Sequence, residues 1–541
     1  MSETSSNGRV AGVDAPLACL MDDTKEKLVV GPPHAQIKVA ELTKSTPEIR
    51  RKKGSSLRQI GAAVFANLGT INTGLVFGFS AVALPQLTRP DSEIPIDENQ
   101  ASWLASMSSV STPCGCILSG YLMDLIGRRR TLIVTEIPLI IGWILIGMAP
   151  NIWWMYVGRL LVGLGVGMVG APSRVYTAEA TQPHLRGILA ALASVHVSLG
   201  VMIEYILGYY FSWSSMAFLN TLVPIGSLGA CLLLPDSPAW LLSRGRFEDS
   251  KRSLQRLRGA TCDVEHEMGM LVAFAQTNAT GSPGSAKQTL RAILHPSARK
   301  PFLILMVYFA IYQFCGINPL TFYAVEVFQH SGSDWDKNVA TIILGVVRLV
   351  FTIVGCLLMR RVGRRPLTFL SSIGCGVPML GLGYYMWLKD DWISNGVTPK
   401  FQWFPVLNIF AFMAFSSIGY LVVPWVMIGE VFPAKVRGII GGLTTCGSHF
   451  MVFVAVKSYP LMQKMLTEAG SYVFYGVISL LGTVYFYACL PETKGRSLQE
   501  IEDFFSGRRE SLAPDAKRRI VNNNNNNRPT ILKPQKGKIL P

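Results

Sequence analysis

Runs free of Asp, Glu, Lys and Arg recur along the chain between short charged segments; Ile60–Thr88, Ala101–Met123, Pro366–Leu388 and Gly438–Val456 are examples. Each is long enough to cross a hydrocarbon layer of about 30 Å as a helix. The pattern therefore predicts membrane spans rather than amphipathic elements around a soluble core. Tyr205–Pro235 divides at the polar stretch Ser212–Ser215, and Ile342–Met359 is one more span despite its single charge, Arg348. Twelve spans result, at about 60–84, 102–123, 131–150, 153–174, 187–209, 215–234, 302–324, 338–359, 366–388, 403–428, 438–459 and 470–490.

The polar segments set the organisation. A tail (1–57) precedes a first half (58–234), a helical linker (235–301), a second half (302–490) and a last tail (491–541). In the linker, Phe247, Leu254 and Leu257 fall at helical spacing. Beyond about residue 508 the chain is polar and basic and includes Asn522–Asn527, a composition expected to be disordered.

Composition agrees with an all-α membrane protein. Of 541 residues, 50% are hydrophobic and only 16% charged, with a mean hydropathy of +0.34. These values exclude a soluble, collagen-like or wholly disordered chain. The net charge of +16 sits beside the apolar runs, at Arg50–Lys53, Arg128–Arg130, the linker, Arg360, Arg361, Arg364, Arg365 and the last tail. The loop after the first span is acidic instead, with Asp91, Glu93, Asp97 and Glu98 against Arg89. Positive-inside bias then places both termini in the cytoplasm, and no nucleic-acid motif accompanies the basic residues. No signal-peptide core precedes the first apolar run, so insertion is expected through internal spans. The ten cysteines show no zinc or disulfide spacing and read as structural, with no metal or cofactor expected. The sequon Asn278-Ala279-Thr280 falls in the linker, on the side where it stays unused.

The two halves repeat each other. Glu179 precedes Arg186-Gly187 as Glu430 precedes Arg437-Gly438, Gly127-Arg128-Arg129 recurs as Gly363-Arg364-Arg365, and Pro235-Asp236-Ser237-Pro238 is answered by Pro491-Glu492-Thr493-Lys494. Two parallel six-helix repeats follow. Together with GYLMDLIGRRR (120–130), GRLLVGLGVG (158–167), EATQPHLRG (179–187), PDSPAWL (235–241), QFCGIN (313–318), PWVMIGEVFPAKVRG (424–438) and PETKGRSLQEIE (491–502), they make the chain resemble the sugar porter family of the major facilitator superfamily, in its insect facilitated trehalose transporter branch. The resemblance covers roughly 60–505 and implies a major facilitator fold of twelve transmembrane helices in two six-helix halves. It implies no enzymatic activity but carriage of a small solute, a sugar such as trehalose or a hexose, across the plasma membrane.

The resemblance also assigns roles. Asp124, Arg128, Glu179, Arg186, Arg364, Glu430 and Arg437 are expected to pair at the cytosolic helix ends, holding the bundle closed below and breaking when it opens inward. Exposed pairs contribute about 0–1 kcal/mol each, so such a network biases states without locking one; arginine at inner loops also follows from topology alone. Arg360 stands where the second-half motif usually has an acid. Proton-coupled members carry a carboxylate after a Gly-aromatic pair in the first span, whereas Gly78-Phe79 is followed here by Ser80, and no Walker-type loop is present. A downhill uniporter is expected.

Gln313, Asn318 and Trp425 fall on the family's sugar-contact positions, with Gly316 and Pro319 making that helix breakable. Ser194, Arg348 and His449 also occupy contact positions but depart from the usual residue types, as do Tyr312, Ser417 and Ser448. A guanidinium there leaves open a carrier of another, anionic solute, and a non-transporting sensor of the same fold is the remaining alternative. Glu204 and Arg348 interrupt otherwise apolar spans; counted from Arg186 and Gly363 their depths differ by only about 5 Å. They are expected either to pair across the two halves, with His196 nearby, or to face the aqueous cavity separately.

Overall fold

A computed structural model describes residues 55–189, 191–259, 262–279, 293–433, 436–496 and 498–508. Cys19, Arg50–Lys53, Thr280 of the sequon and the tail with Asn522–Asn527 lie outside them, as does the side chain of Arg360. The described residues are helical, without strands. In the first half, α1 (Ser56–Asn67) and α2 (Ile71–Leu87) join through a 3-10 turn at Leu68–Thr70 and are followed by α3 (Glu98–Ile126), α4 (Arg128–Gly147), α5 (Ile152–Ala180), the short α6 (Pro183–Leu189), α7 (Leu192–Tyr210), α8 (Trp213–Asn220) and α9 (Leu222–Leu233). The linker forms α10 (Pro238–Ser243), α11 (Phe247–Arg258) and α12 (Val264–Ala279). The second half has α13 (Pro296–Phe314), α14 (Ile317–Phe322), α15 (Ala324–His330), α16 (Lys337–Arg361), α17 (Arg364–Ser394), α18 (Trp403–Ile418), α19 (Val423–Val431) and α20 (Arg437–Cys489), and α21 (Leu498–Phe505) closes the described chain.

Nine helical segments among the described residues are long and apolar enough to cross a membrane. One of them, α20, is two helices meeting at Thr467, whose φ of 65° breaks the helical path. The spans expected at 102–123 and 302–324 are helical too, in α3 and α13–α14, but fall outside the nine. Several ends differ from the charge-free runs. α17 continues through Lys389, Asp390 and Asp391, because a helix leaving the bilayer need not stop at the first charge. Arg186-Gly187 lie on the separate α6, so the fifth span starts at Leu192.

Small residues bring the helices together. A Cβ on Gly163 would lie 2.0 Å from the Ser108 carbonyl and one on Gly167 2.1 Å from that of Thr112, so α3 and α5 touch backbone to backbone. Close approach through glycine is how helices associate where lipid supplies no hydrophobic drive. Hydroxyls then fasten the seam: Ser111 donates to the Leu160 carbonyl at 2.7 Å and Thr112 to that of Gly163 at 3.1 Å.

At the linker end of the bundle the repeat becomes geometry. Gly127 and Gly363 turn α3 into α4 and α16 into α17 with φ of 93° and 110°, a region glycine enters without a Cβ penalty. The arginine after each reaches a glutamate of its own half: Arg128 Nη2 lies 3.1 Å from Glu179, and Arg364 Nε donates to Glu430 at 3.1 Å. Ser237 donates to Glu179, and Thr493 donates to Glu430 at 2.7 Å. The motifs that end each half thus complete a carboxylate shared by three segments. The linker packs on itself through Leu242, Leu254, Val264, Met268 and Val272 and on the first half through Leu257, beside Leu132 and Leu234, and Arg258, buried, pairs with Glu267 at 2.7 Å.

Candidate functional site: a cavity between the halves

The binding helix of the second half is broken where the sequence allows it. Gly316 takes φ 96° between α13 and α14, and a Cβ there would lie 2.8 Å from the Tyr475 ring. The break turns Gln313 and Asn318 toward each other: Asn318 Nδ2 donates to Gln313 Oε1, leaving the buried Gln313 Nε2 without a partner. Trp425, on α19, packs edge-on to Phe309 with ring centroids 5.0 Å apart, and His449 of α20 lies 6.0 Å away.

These side chains line one cavity of about 780 Å³, and Ser194, Gln313, Asn318, Arg348, Trp425 and His449 all reach it. That volume suits a drug- or sugar-sized molecule. Tyr312 lines it as well; Ser417 is instead tied to the Met413 carbonyl at 2.8 Å, and Ser448 is buried away from it. The cavity runs to the linker end, where Arg128, Glu179 and Arg437 form its rim. At the opposite end the halves meet. Phe77 packs on Phe322 at 5.0 Å, Tyr205 donates to the Thr321 carbonyl at 2.8 Å, and Lys457 donates to Ser102 at 2.7 Å and Asn99 at 3.2 Å.

Two expectations are corrected here. Opening at the linker end does not break all of the pairs expected at the rim. Arg128 and Arg364 keep their partners while the cavity is open at the linker end, because each pair lies within one half and moves as a body. Asp124 only approaches Arg128, at 3.8 Å, and is largely exposed. Arg186 donates to the Thr181 carbonyl and Arg437 to that of Phe432. Among the described residues no ion pair crosses between the halves at this end.

The second correction concerns Glu204 and Arg348, which are not paired. α7 and α16 do face each other, through a 2.9 Å bond between the Ser198 and Thr352 hydroxyls and close approach of Gly345 to Met202. Ser198, Met202 and Tyr205 form that stripe, so Glu204, two residues beyond Met202, turns to the other side, against Gly78. There it accepts from Asn220 at 3.1 Å. Arg348 donates to the Thr321 hydroxyl at 2.8 Å, and His196 bonds the Asn67 carbonyl at 3.0 Å.

Two buried charges and a half-buried one escaped the sequence reading because each sits at the edge of a charge-free run. Arg159, fully buried, donates to Ser80 at 2.6 Å and the Val76 carbonyl at 3.1 Å and lies over the Phe79 ring at 4.6 Å. Glu136, equally buried, accepts from Ser227 at 2.7 Å. Arg174 enters the cavity, 5.0 Å from the centre of the Trp425 ring.

A family model described as "Sugar (and other) transporter" matches residues 58–505. Among curated proteins, the chain is 31% identical over 83% of its length to the facilitated trehalose transporter Tret1 of Polypedilum vanderplanki, covering 88% of that protein. It is 32% identical to the proteins of the same name from Culex quinquefasciatus and Bombyx mori, over 83% and 82% of the chain and 86% of each relative. Among solved structures, the proton:xylose symporter XylE bound to 6-bromo-6-deoxy-D-glucose superposes with a TM-score of 0.68, covering 83% of this chain and 99% of that one at 21% identity. An inward-open form of the xylose transporter XylE from E. coli superposes with a TM-score of 0.62 at the same identity, over 83% of this chain and 98% of that one.

Proposed function

The chain belongs to the sugar (and other) transporter family, and from that premise we propose that it carries a sugar downhill across the plasma membrane by alternating access, with both termini and the linker in the cytoplasm. The observation that carries the proposal is the cavity between the halves, into which Gln313, Asn318, Trp425 and Ser194 project hydrogen-bonding groups and an indole face, open at the linker end and closed at the other. Amides and hydroxyls match sugar hydroxyls, and an aromatic face matches a pyranose. Trehalose, named for the relatives, and the hexoses are the first solutes to examine. The rim arginines and glutamates then act within each half as braces that keep the helix ends rigid, while Arg186 and Arg437, which among the described residues donate to backbone carbonyls in this state, are the groups that form new contacts when the linker end closes.

Uniport is favoured by what surrounds Ser80. The buried Arg159 charge is met at hydrogen-bond distance by a hydroxyl and a carbonyl and faced by a ring, none of which titrates as a carboxylate would. Radiolabelled uptake from a sugar panel in oocytes tests the reading. Saturable entry that equilibrates and ignores a protonophore is expected. Accumulation above the outside concentration that collapses with the protonophore would overturn uniport and point to Glu204, and absence of any saturable entry at normal surface levels would overturn carriage itself.

A further inference from the structure

The charge of the cavity is not that of a site for a neutral sugar alone. Arg128, Arg174, Arg348 and Arg437 line it against one carboxylate, Glu179. Glu179 is engaged by Arg128 at the rim, and neither Arg174 nor Arg348 has an acid within ion-pair distance among the described residues. Arg348 makes one hydrogen bond, to Thr321, and its buried Nε has no partner. A guanidinium carries five N–H donors, so a role as a strut uses only a fraction of this group. Arg174 rests on the Trp425 ring without a side-chain acceptor, and His449 stands beside the same ring. Buried charge without a counter-charge is costly; Arg348 is such a charge, and the half-buried Arg174 adds a second positive charge to the same pocket.

We infer that the solute is a sugar-sized oxyanion, a polyhydroxyl compound bearing a carboxylate or phosphate, whose charged group is held by Arg348 in a positive field to which Arg174 adds, while its hydroxyls meet Gln313 and Asn318. The inference rests on the carrier reading above and narrows its solute. Planar guanidinium forks match both oxyanions bidentately. The two arginines also come from different halves, Arg174 on α5 and Arg348 on α16.

Proteoliposomes containing the full-length protein test this with four probes: glucose, trehalose, glucuronate and glucose 6-phosphate. At least one acid is expected to compete for uptake at a concentration about tenfold below that of glucose, the gain one charge-assisted contact supplies, and the better of the two tells carboxylate from phosphate. Arg174→Gln and Arg348→Gln should each weaken the acid about tenfold and glucose by less, with Arg348→Lys intermediate because it keeps charge but loses the fork. Thermal melting in detergent identifies a variant that fails to fold, in which case competition on the wild type and the Arg348→Lys ratio decide. Saturable glucose or trehalose entry with neither acid competing better than glucose overturns this inference and leaves the carrier reading standing. Entry of none of the four into vesicles holding well-folded protein overturns both.

Discussion

Glu204 gives one oxygen to the Asn220 amide and leaves the other buried without a partner, while Arg348 does the same with Thr321 and its Nε. Each is a half-satisfied polar group held in place by packing, and the charge that acts on Glu204 through space is that of Arg159, on α5. Because Glu204 and Arg348 share no hydrogen-bond partner, the losses of thermal stability in Glu204→Gln and Arg348→Gln are expected to add to within about 0.5 kcal/mol. Glu204→Gln and Arg159→Gln, which feel one another's charge, should depart from additivity by more. Melting curves of the purified single and double variants check both, and a Glu204→Gln, Arg348→Gln double variant clearly more stable than the sum would restore the direct pair. Depth along a span was legible from residue counts, and Arg348 does line the cavity. Azimuth was not: a rotation of 200° between Met202 and Glu204 follows from 100° per residue, but which face meets which neighbour is set by tertiary packing. Arg159, Glu136 and Arg174 were missed for a simpler reason, since a scan for uninterrupted apolar runs treats the charge that ends a run as a boundary rather than as a buried or half-buried group.

Elements repeat more faithfully than residues. Gly-Arg at a tight turn, a glutamate at the end of the fourth span of each half and a hydroxyl in the segment that closes it return 236, 251 and 256 positions apart, and all three parts meet at Glu179 and at Glu430. The spacing in the sequence announced this symmetry, but motif spacing carries no information on which arginine meets which glutamate or on whether a pair lies within one rigid body or between two. Removing the shared carboxylate strands a partly buried arginine and a hydroxyl together. Glu430→Gln is therefore expected to lower stability by about 1–3 kcal/mol, and Glu179→Gln by a similar amount. Asp124→Asn, at an exposed carboxylate 3.8 Å from its arginine, should change it by no more than about 0.5 kcal/mol. Thermal unfolding of the three variants orders them, and an Asp124→Asn loss equal to that of Glu430→Gln would show that the rim acts as one network after all.

At the scale of the whole molecule, the two-half arrangement and the membrane character were readable because hydrocarbon thickness fixes span length and lipid admits few charges; six candidate contact residues scattered from Ser194 to His449 accordingly converge on one cavity. Which end of that cavity is open was not readable, since both states use the same helices and differ only in contacts between halves. Those contacts stand at the end opposite the linker, and Lys457 is their centre: it joins α20 to α3 through Ser102 and Asn99 and sits 4.2 Å from the centre of the Trp103 ring. Lys464 also crosses, to Glu98, but both groups are mostly exposed, where a pair contributes about 0–1 kcal/mol. Loss of two hydrogen bonds and a cation–π contact in Lys457→Ala should cost this state about 1–2 kcal/mol, a five- to thirtyfold shift in the equilibrium toward the alternative one. Cys116 lines the cavity, so its reaction with a membrane-impermeant thiol reagent applied on the linker side reports the open state, in a background where the other cysteines, the exposed Cys114 and Cys489 among them, are replaced by serine. Lys457→Ala is expected to slow that reaction severalfold and Lys464→Ala to leave it within about twofold. An unchanged rate in Lys457→Ala, at wild-type surface levels, would mean that the Phe77–Phe322 and Tyr205–Thr321 contacts close that end without it.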